Sequence, residues 1–462
     1  MNAINDNSII ALDKFIQSTR DSGYKNTASA ISELVDNAIQ ASAQNISVLI
    51  QPDDSEGTGI RVAVIDDGTG MDRHTLTQAM RFGGSSRFND REGLGRFGMG
   101  LPNSSLSQAM RVVVYSWQKS SAPQYTYLDV EEIATGAMVK VPEPRSVTLP
   151  VWLGERDSKS GTVVVWESCD RLDHRRITTI ERKLVSSLGR IFRHYIWAGI
   201  KININGKVIT AIDPLFLNKS APQHGASSFQ DSWEIELYSD PADPTSPTGK
   251  VEVVFTELPI QKWHRLSNDE KRAMGVSNNA GASIVRGNRE VDYGWFFMGS
   301  KRRENYDDWW RCEIRFDPVL DEAFGITHTK QQIRPKEYLL EALQPYMETM
   351  AKALNGRVRQ AHIDIKVGDF TTNAEQVAQV GMPPRLHQHA LARIDQDDRE
   401  IGGARAGDHV ASILLVPRAI GDDELAPLGC KEAIGDIDGD ALLALGGEAV
   451  HEQGEVDLAP LR

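Results

Sequence analysis

Cysteine is scarce in this chain. Its 462 residues hold three (Cys169, Cys312 and Cys430), widely spaced and odd in number. That argues against a disulfide framework or a cysteine-rich zinc site and suits a reducing compartment. Positive charge is also short. Against 64 Asp and Glu stand 51 Lys and Arg, a formal net charge of −13, which excludes a protein that coats nucleic acid through bulk positive charge. No apolar run approaches the roughly 18–20 residues of a membrane span, and residues 1–14 carry no charged-then-apolar leader pattern. These absences predict a cytoplasmic protein with no membrane partner.

The length suits about three domains, and the charge divides accordingly. Residues 1–355 carry 41 basic and 45 acidic side chains, residues 356–420 carry 8 of each, and residues 421–462 carry 2 and 11. Most of the negative charge therefore sits in a Gly-, Ala- and Asp-rich tail, expected to be a solvated and partly disordered extension. Asp436, Asp438 and Asp440 imitate the start of a calcium loop. Ala441 stands where that loop needs Gly, and Gly447 stands where it needs Glu, so calcium is rejected.

The first 190 residues read as mixed α/β. Ala28, Ile31, Leu34, Val35, Ala38 and Ile39 repeat with a helical period over 28–42. Ile46–Ile50 and Ile60–Ile65 are β-rich runs, and Asp72–Arg81 reads as helix. Residues 83–100 hold six glycines, too many for regular structure, and Pro102 suits the start of a helix running to Met110. Strands are expected at Arg111–Trp117, Gln124–Val130, Ala137–Val141 and Thr162–Glu167, and one long helix at Arg175–Ala198. Beyond Gly199 come short strands at 201–205, 233–238, 250–255, 282–286 and 312–316. A closing helix follows over 335–355, which Arg357–Gln360 would extend.

Four segments carry chemistry, each weak alone. In Glu33-Leu34-Val35-Asp36-Asn37, Glu33 and Asn37 are four apart and share a helical face. A carboxylate takes a proton from attacking water, and a neutral amide oxygen suits Mg²⁺ while leaving room for phosphate oxygens and waters. Val64-Ile65-Asp66-Asp67-Gly68-Thr69-Gly70-Met71 ends a strand on a carboxylate able to accept from the adenine amino group, with Gly68 and Gly70 letting a base approach. Gly93-Leu94-Gly95-Arg96-Phe97-Gly98-Met99-Gly100 leads into a helix N-terminus, a favourable anion cradle. It fits neither a dinucleotide fingerprint nor a P-loop. Gly161-Thr162 opens an apolar strand.

In this order and spacing the four segments resemble the GHKL ATPase superfamily, the group of DNA gyrase B, Hsp90, histidine kinases and MutL. The resemblance covers about residues 20–195. It implies the Bergerat fold, a mostly antiparallel sheet covered on one face by helices, binding ATP and Mg²⁺. By position Glu33 matches the general base, Asn37 the magnesium ligand and Asp66 the adenine-binding Asp. Gly68, Gly70 and Met71 stand beside Asp66. Gly95, Gly98, Met99 and Gly100 fall in the phosphate-binding lid motif, Thr162 matches the Thr near the adenine pocket, and Asp36 is counted with Asn37 in the nucleotide-binding set.

Among the branches, histidine kinases generally lack the first-motif Glu, and MutL's Arg-Gly-Glu-Ala lid stretch is absent here. The best resemblance is to MORC-type and Hsp90-like ATPases of prokaryotes. Pro102 and Asn103 stand where MORC proteins usually carry a lid Lys. The expected organisation is an α/β (α+β) chain with an ATPase domain over 1–195. An S5-like transducer domain follows over 196–355, and a C-terminal extension over 356–462, acidic from 421. Within Gly325-Ile326-Thr327-His328-Thr329-Lys330-Gln331-Gln332, Lys330 resembles the transducer's switch lysine, a compact cation on a long stem able to reach a γ-phosphate.

This resemblance implies a slow ATPase acting as a nucleotide-gated homodimeric clamp on DNA or on a DNA-processing partner, in DNA-related processes or defence against foreign DNA. An Hsp90-like chaperone acting on protein clients is the alternative, and an ATP-binding scaffold without turnover a third. Tyr24 and Lys25 are candidates to reach a partner subunit. Arg286, Arg289, Lys301, Arg302, Arg303, Trp309, Trp310, Arg311 and Arg315 interleave base and aromatic among acidic neighbours, a pattern that makes either a structural or solvated face or a DNA-contacting surface.

Overall fold

The computed structural model describes residues 11–53, 59–84, 99–119, 121–154, 158–221, 223–277, 279–326 and 332–379, with side chains to 368. Met1–Ile365 is one compact unit and contains both sheets. In the second unit, Lys366–Arg462, the described residues continue a helix to Gln379.

Two helices open the chain. Arg20, near the end of α1 (Leu12–Asp21), is buried. Its Nε donates to the Leu106 carbonyl (2.8 Å) and its terminal nitrogen to the Asp170 carboxylate (2.6 Å). Asn26 caps α2 (Thr27–Gln40) by accepting from the Ser29 amide at 2.8 Å, while the Thr27 amide donates to Asp173 at 3.0 Å. The free amides and positive dipole end of α2 are thus met by the chain's own side chains. Ile31, Leu34, Val35 and Ala38 then run one buried stripe into the core.

The hairpin of β1 (Asn45–Asp53) and β2 (Gly59–Asp66) sets Ile46 opposite Asp66. There follow α3 (Arg73–Ala79), α4 (Gly100–Leu106), β3 (Arg111–Trp117), β4 (Gln124–Asp129), α5 (Val130–Ala134), β5 (Arg145–Ser146) and β6 (Gly161–Glu167). Then come α6 (Ile177–Ile191), α7 (Arg193–Trp197), β7 (Lys201–Ile204) and β8 (Lys207–Val208). The strands lie in the order β5-β4-β3-β6-β2-β1-β7-β8, antiparallel except for β1 with β7. Alternation along the strands sorts the two faces. Val48, Val62, Val64, Val112, Val114 and Trp166 pack with the helices. Ala63, Ile65, Val113, Tyr115 and Trp117 face a smaller cluster closed by Val147, Leu149, Trp152 and Leu153. This is the expected mostly antiparallel sheet with its helices on one face.

Some local expectations fail. Ala137–Val141 is bend and irregular chain rather than strand. Val130 starts α5 instead of ending β4, because the Asp129 side chain accepts the Glu131 and Glu132 amides at 3.0 and 3.1 Å. The long helix over 175–198 breaks at Phe192, whose φ of −102° and ψ of 17° leave the helical region; its ring is buried in the core. The first sheet also takes two strands from residues beyond 195.

The second sheet runs β10 (Trp233–Tyr238), β11 (Thr248–Glu257), β14 (Trp310–Phe316), β12 (Ala282–Arg286) and β13 (Arg289–Gly294), with β9 (Ser227–Ser228) on β11. The short helices α8 (Ile260–Trp263), α9 (Asn268–Ala273) and α10 (Asp321–Phe324) lie in its connections. The closing helix α11 (Glu337–Gln379) buries Leu339, Leu343, Met347, Ala351 and Leu354 with Phe255, Trp310 and Ile314. Each buried Leu, Met, Phe or Ile side chain contributes about 1.5–3 kcal/mol. The sequence pattern missed β13 because Arg-Glu-Val-Asp-Tyr-Gly reads as polar, although Arg289, Glu290 and Val291 are buried.

Candidate functional site

The site is organised along α2. At its middle, Glu33 is 3% exposed, and the first residue of α4 lies directly against it. A side chain at Gly100 would collide with Glu33 Oε1, so only glycine lets the two elements meet with the carboxylate in place. One turn on, Asn37 is half-buried. Another turn on, the Ala41 carbonyl accepts the Thr69 amide at 2.9 Å. A Cβ on Gly68 would come within 2.7 Å of that carbonyl and 2.9 Å of Asp66 Oδ1. Glu33, Asn37 and the Asp66–Gly70 turn therefore line up along eight residues of helix, about 12 Å at the helical rise.

Asp66 ends β2, opposite Thr162 across the β2–β6 ladder. Its carboxylate accepts the Gly68 amide at 2.9 Å and the Thr162 amide. Burial pushes its carboxyl up from 3.8 to about 6 against these hydrogen bonds, because a desolvated carboxylate resists ionisation. Asp67 turns to other work: it accepts the Gln44 and Asn45 amides at 2.8 and 2.9 Å and stays below the ordinary value.

Behind Asp66 lies a knot whose centre is Ser116. Its hydroxyl accepts the Met71 amide (2.8 Å), donates to the Gly161 carbonyl (3.0 Å) and meets Thr162 Oγ1 (3.0 Å). Ser116 was not singled out from the sequence; a lone hydroxyl inside the apolar strand Val112–Trp117 was the available signal. Met99 precedes α4, and its carbonyl accepts the Asn103 amide at 3.0 Å. Asn103 is buried, and its Oδ1 has no hydrogen-bond partner among the described residues. Gly95, Gly98 and Lys330 lie outside the described residues.

Asp36 is placed differently from its expected ligand role. It is fully buried and ion-paired with Arg289 of β13, with Nε 2.8 Å from Oδ2. Tyr24 is likewise turned inward rather than presented to a partner. Burial first, then the charges of Glu33 and Asp36, hold its phenol well above the ordinary range. Most of the basic and aromatic residues of the second sheet are also spent inside. Arg286 pairs with Asp321 (2.6 Å), Lys301 with Asp307 (2.8 Å), and Arg311 donates to the Gly275 and Val276 carbonyls (2.7 Å each). Trp309 and Trp310 are buried. For these residues the geometry favours the structural alternative, while Arg302 and Arg303 of the same stretch are exposed.

Residues 24–160 match the family described as histidine kinase-, DNA gyrase B-, and HSP90-like ATPase. This segment is a GHKL ATPase domain. The DNA mismatch repair proteins MutL of Anaeromyxobacter sp. (strain K) and of Anaeromyxobacter dehalogenans (strain 2CP-1 / ATCC BAA-258) are each 32% identical to this chain over 127 residues, which is 27% of it. MutL of A. dehalogenans (strain 2CP-C) is 33% identical over the same length. The chain spans about a fifth of the length of these curated relatives (20%). The GHKL match contains Glu33, Asn37, Asp66, Gly68, Gly70 and Gly100 and stops just short of Thr162. Among the described residues no helix is long and apolar enough to cross a membrane.

Proposed function

We propose that this chain binds ATP along α2 and hydrolyses it slowly, and that the cycle gates the pairing of two copies in a process on DNA. The observation that carries the reading is the alignment of two buried carboxylates along one helix. Asp66 is backed by Gly68, Gly70 and Thr162 at the base end, and Glu33 lies against Gly100 at the phosphate end. Gly68 and Gly100 let backbone lie directly against Asp66 and Glu33, where a Cβ would collide with either carboxylate, the close backbone approach that a nucleotide site uses. Asn37 offers one neutral oxygen, which suits Mg²⁺ carried largely by phosphates and waters.

In the mechanism Asp66 accepts the amino hydrogen of adenine and fixes the register of the nucleotide. Glu33 orients and deprotonates the water that attacks the γ-phosphate. Asn37 would hold Mg²⁺, which when bound offsets charge on the departing phosphate. In the expected arrangement the amides of the lid motif, Gly95 and Gly98 among them, and Lys330 face the same charge. Asn103 Oδ1, buried near the start of α4 and without a hydrogen-bond partner among the described residues, adds a further acceptor to this end. The DNA-related part of the reading rests on the MutL relatives. MORC-type kinship, the transducer role of the second domain and the Hsp90-like alternative rest on the motif resemblance.

The test is ATP turnover by the full chain, with and without duplex DNA. Glu33→Ala should lower turnover by about 10²–10⁴-fold while retaining ATP binding. Normal hydrolysis by that variant would overturn the assignment of the base. Stimulation by a protein client with no response to DNA would replace the DNA reading with the chaperone one.

A further inference from the structure

The buried ion pair between Asp36 and Arg289 joins the helix that carries Glu33 and Asn37 to a strand of the other sheet. Asp36 lies three residues after Glu33 and immediately before Asn37, so the three share about one helical turn. Arg289 grips it with Nε at 3.0 Å from Oδ1 and 2.8 Å from Oδ2, and both side chains are almost wholly buried. The same turn is held on another side by Gly100, seated against Glu33. Arg289 is itself anchored: its Nη1 donates to the Glu290 carbonyl at 3.2 Å, and the Glu290 carboxylate takes Arg190 and Arg193 at 2.8 Å each.

We infer that Arg289 is a positioning residue for hydrolysis. By clamping Asp36 it fixes the rotation of the α2 turn that aims Glu33, and it makes that aim depend on where the second sheet sits. A charge-assisted pair held by a planar guanidinium sets an angle as well as a distance. The base pocket stands past the far end of α2, around Asp66 and the Ala41 carbonyl. Loosening the clamp therefore acts on the chemical step and spares nucleotide affinity. A catalytic group displaced by about 1 Å loses on the order of 100-fold in rate.

This inference rests on the ATPase reading, and its test separates the two. Turnover and affinity for a non-hydrolysable ATP analogue are measured for the full chain, Arg289→Lys, Arg289→Met, and the double variant Asp36→Asn/Arg289→Met. The double variant leaves no orphaned buried charge and guards against simple unfolding. Arg289→Met and the double variant should each lose about 10–100-fold in kcat with analogue affinity within about threefold. The double should be no worse than the single, and Arg289→Lys should fall between Met and wild type. Wild-type kcat in the folded double variant, or a loss expressed wholly in affinity, overturns the positioning role alone. A wild-type chain that neither binds nor hydrolyses ATP overturns the ATPase reading and this role with it.

Discussion

Asp66 is a side chain that is costly to the fold and that the proposed nucleotide site would use. Burial lifts its carboxyl from 3.8 to about 6. Its folded value lies above its unfolded one, so the folded state binds the proton more tightly. The stability so gained is complete below 3.8 and is lost as pH rises through about 6. At pH 7 the ionised group costs the fold on the order of 1–3 kcal/mol. Ionisation is nonetheless what makes it a pure acceptor for an adenine amino group. Two outcomes follow for titrations with an ATP analogue and for thermal unfolding. Affinity should weaken as pH falls below about 6. Asp66→Asn should unfold at a higher temperature than wild type at pH 7 in the absence of nucleotide, and should gain no stability from added ATP. The Asn oxygen can still take the Gly68 amide, while its NH₂ would then face the adenine amino group, donor against donor. A nucleotide-induced stabilisation retained by Asp66→Asn would remove the adenine assignment.

At the scale of elements, the two sheets are tied by ion pairs that leave little apolar trace in the sequence. Arg193 of α7 is fully buried and pairs with Glu290 of β13 (2.8 Å) and Glu313 of β14 (2.6 Å), donating also to Ser283 of β12 (2.8 Å). Burial alone would raise the Glu313 carboxyl; Arg193 and then His194 instead hold it far below the ordinary range. With the folded value depressed, the stability from this pair is complete above the unfolded value of 4.5 and is lost as pH falls below it. Arg193→Ala removes the partner shared by two interior carboxylates, leaving Glu290 to Arg190 (2.8 Å) and Glu313 to Arg315 (2.9 Å) and His194 (3.5 Å), and should cost about 3 kcal/mol in denaturant unfolding, the low end for a broken buried pair. It should also narrow the gap between stability at pH 7 and at pH 4. A cost under about 1 kcal/mol would mean that water reaches the cluster. The same elements show what the sequence could and could not reveal. The α2 stripe, the β1–β2 hairpin and the glycines beside Asp66 and Glu33 were legible because period and glycine placement are local signals. The break at Phe192, the strand Arg289–Gly294 and the partner of Asp36 were not. Each depends on a residue more than 60 positions away or on a buried charge that reads as surface. The Arg-Trp pattern of the second sheet likewise looks the same whether the arginines face solvent or carbonyls.

For the whole molecule, a net charge of −13 on 462 residues bears on association. Two copies repel at long range, and salt shortens that range: the Debye length is about 30 Å at 0.01 M and about 8 Å at 0.15 M ionic strength. If nucleotide closes a homodimer, light scattering should show the 51.2 kDa chain approaching twice that mass with a non-hydrolysable ATP analogue, more completely at about 0.15 M salt than at about 0.01 M. A dimer held by exposed ion pairs would show the reverse salt dependence, and an unchanged mass with nucleotide bound would end the clamp proposal. DNA adds a sharper arm. Several exposed arginines around the second sheet are already paired with carboxylates, Arg303 with Asp308, Arg357 with Glu257 and Arg359 with Glu304, so in the clamp proposal retention comes from enclosure rather than from charge. Circular duplex loaded with the ATP analogue should survive a high-salt wash that strips charge-held proteins and should be released when the circle is cut. Loss of circular DNA in that wash would mean that any action on DNA passes through a partner.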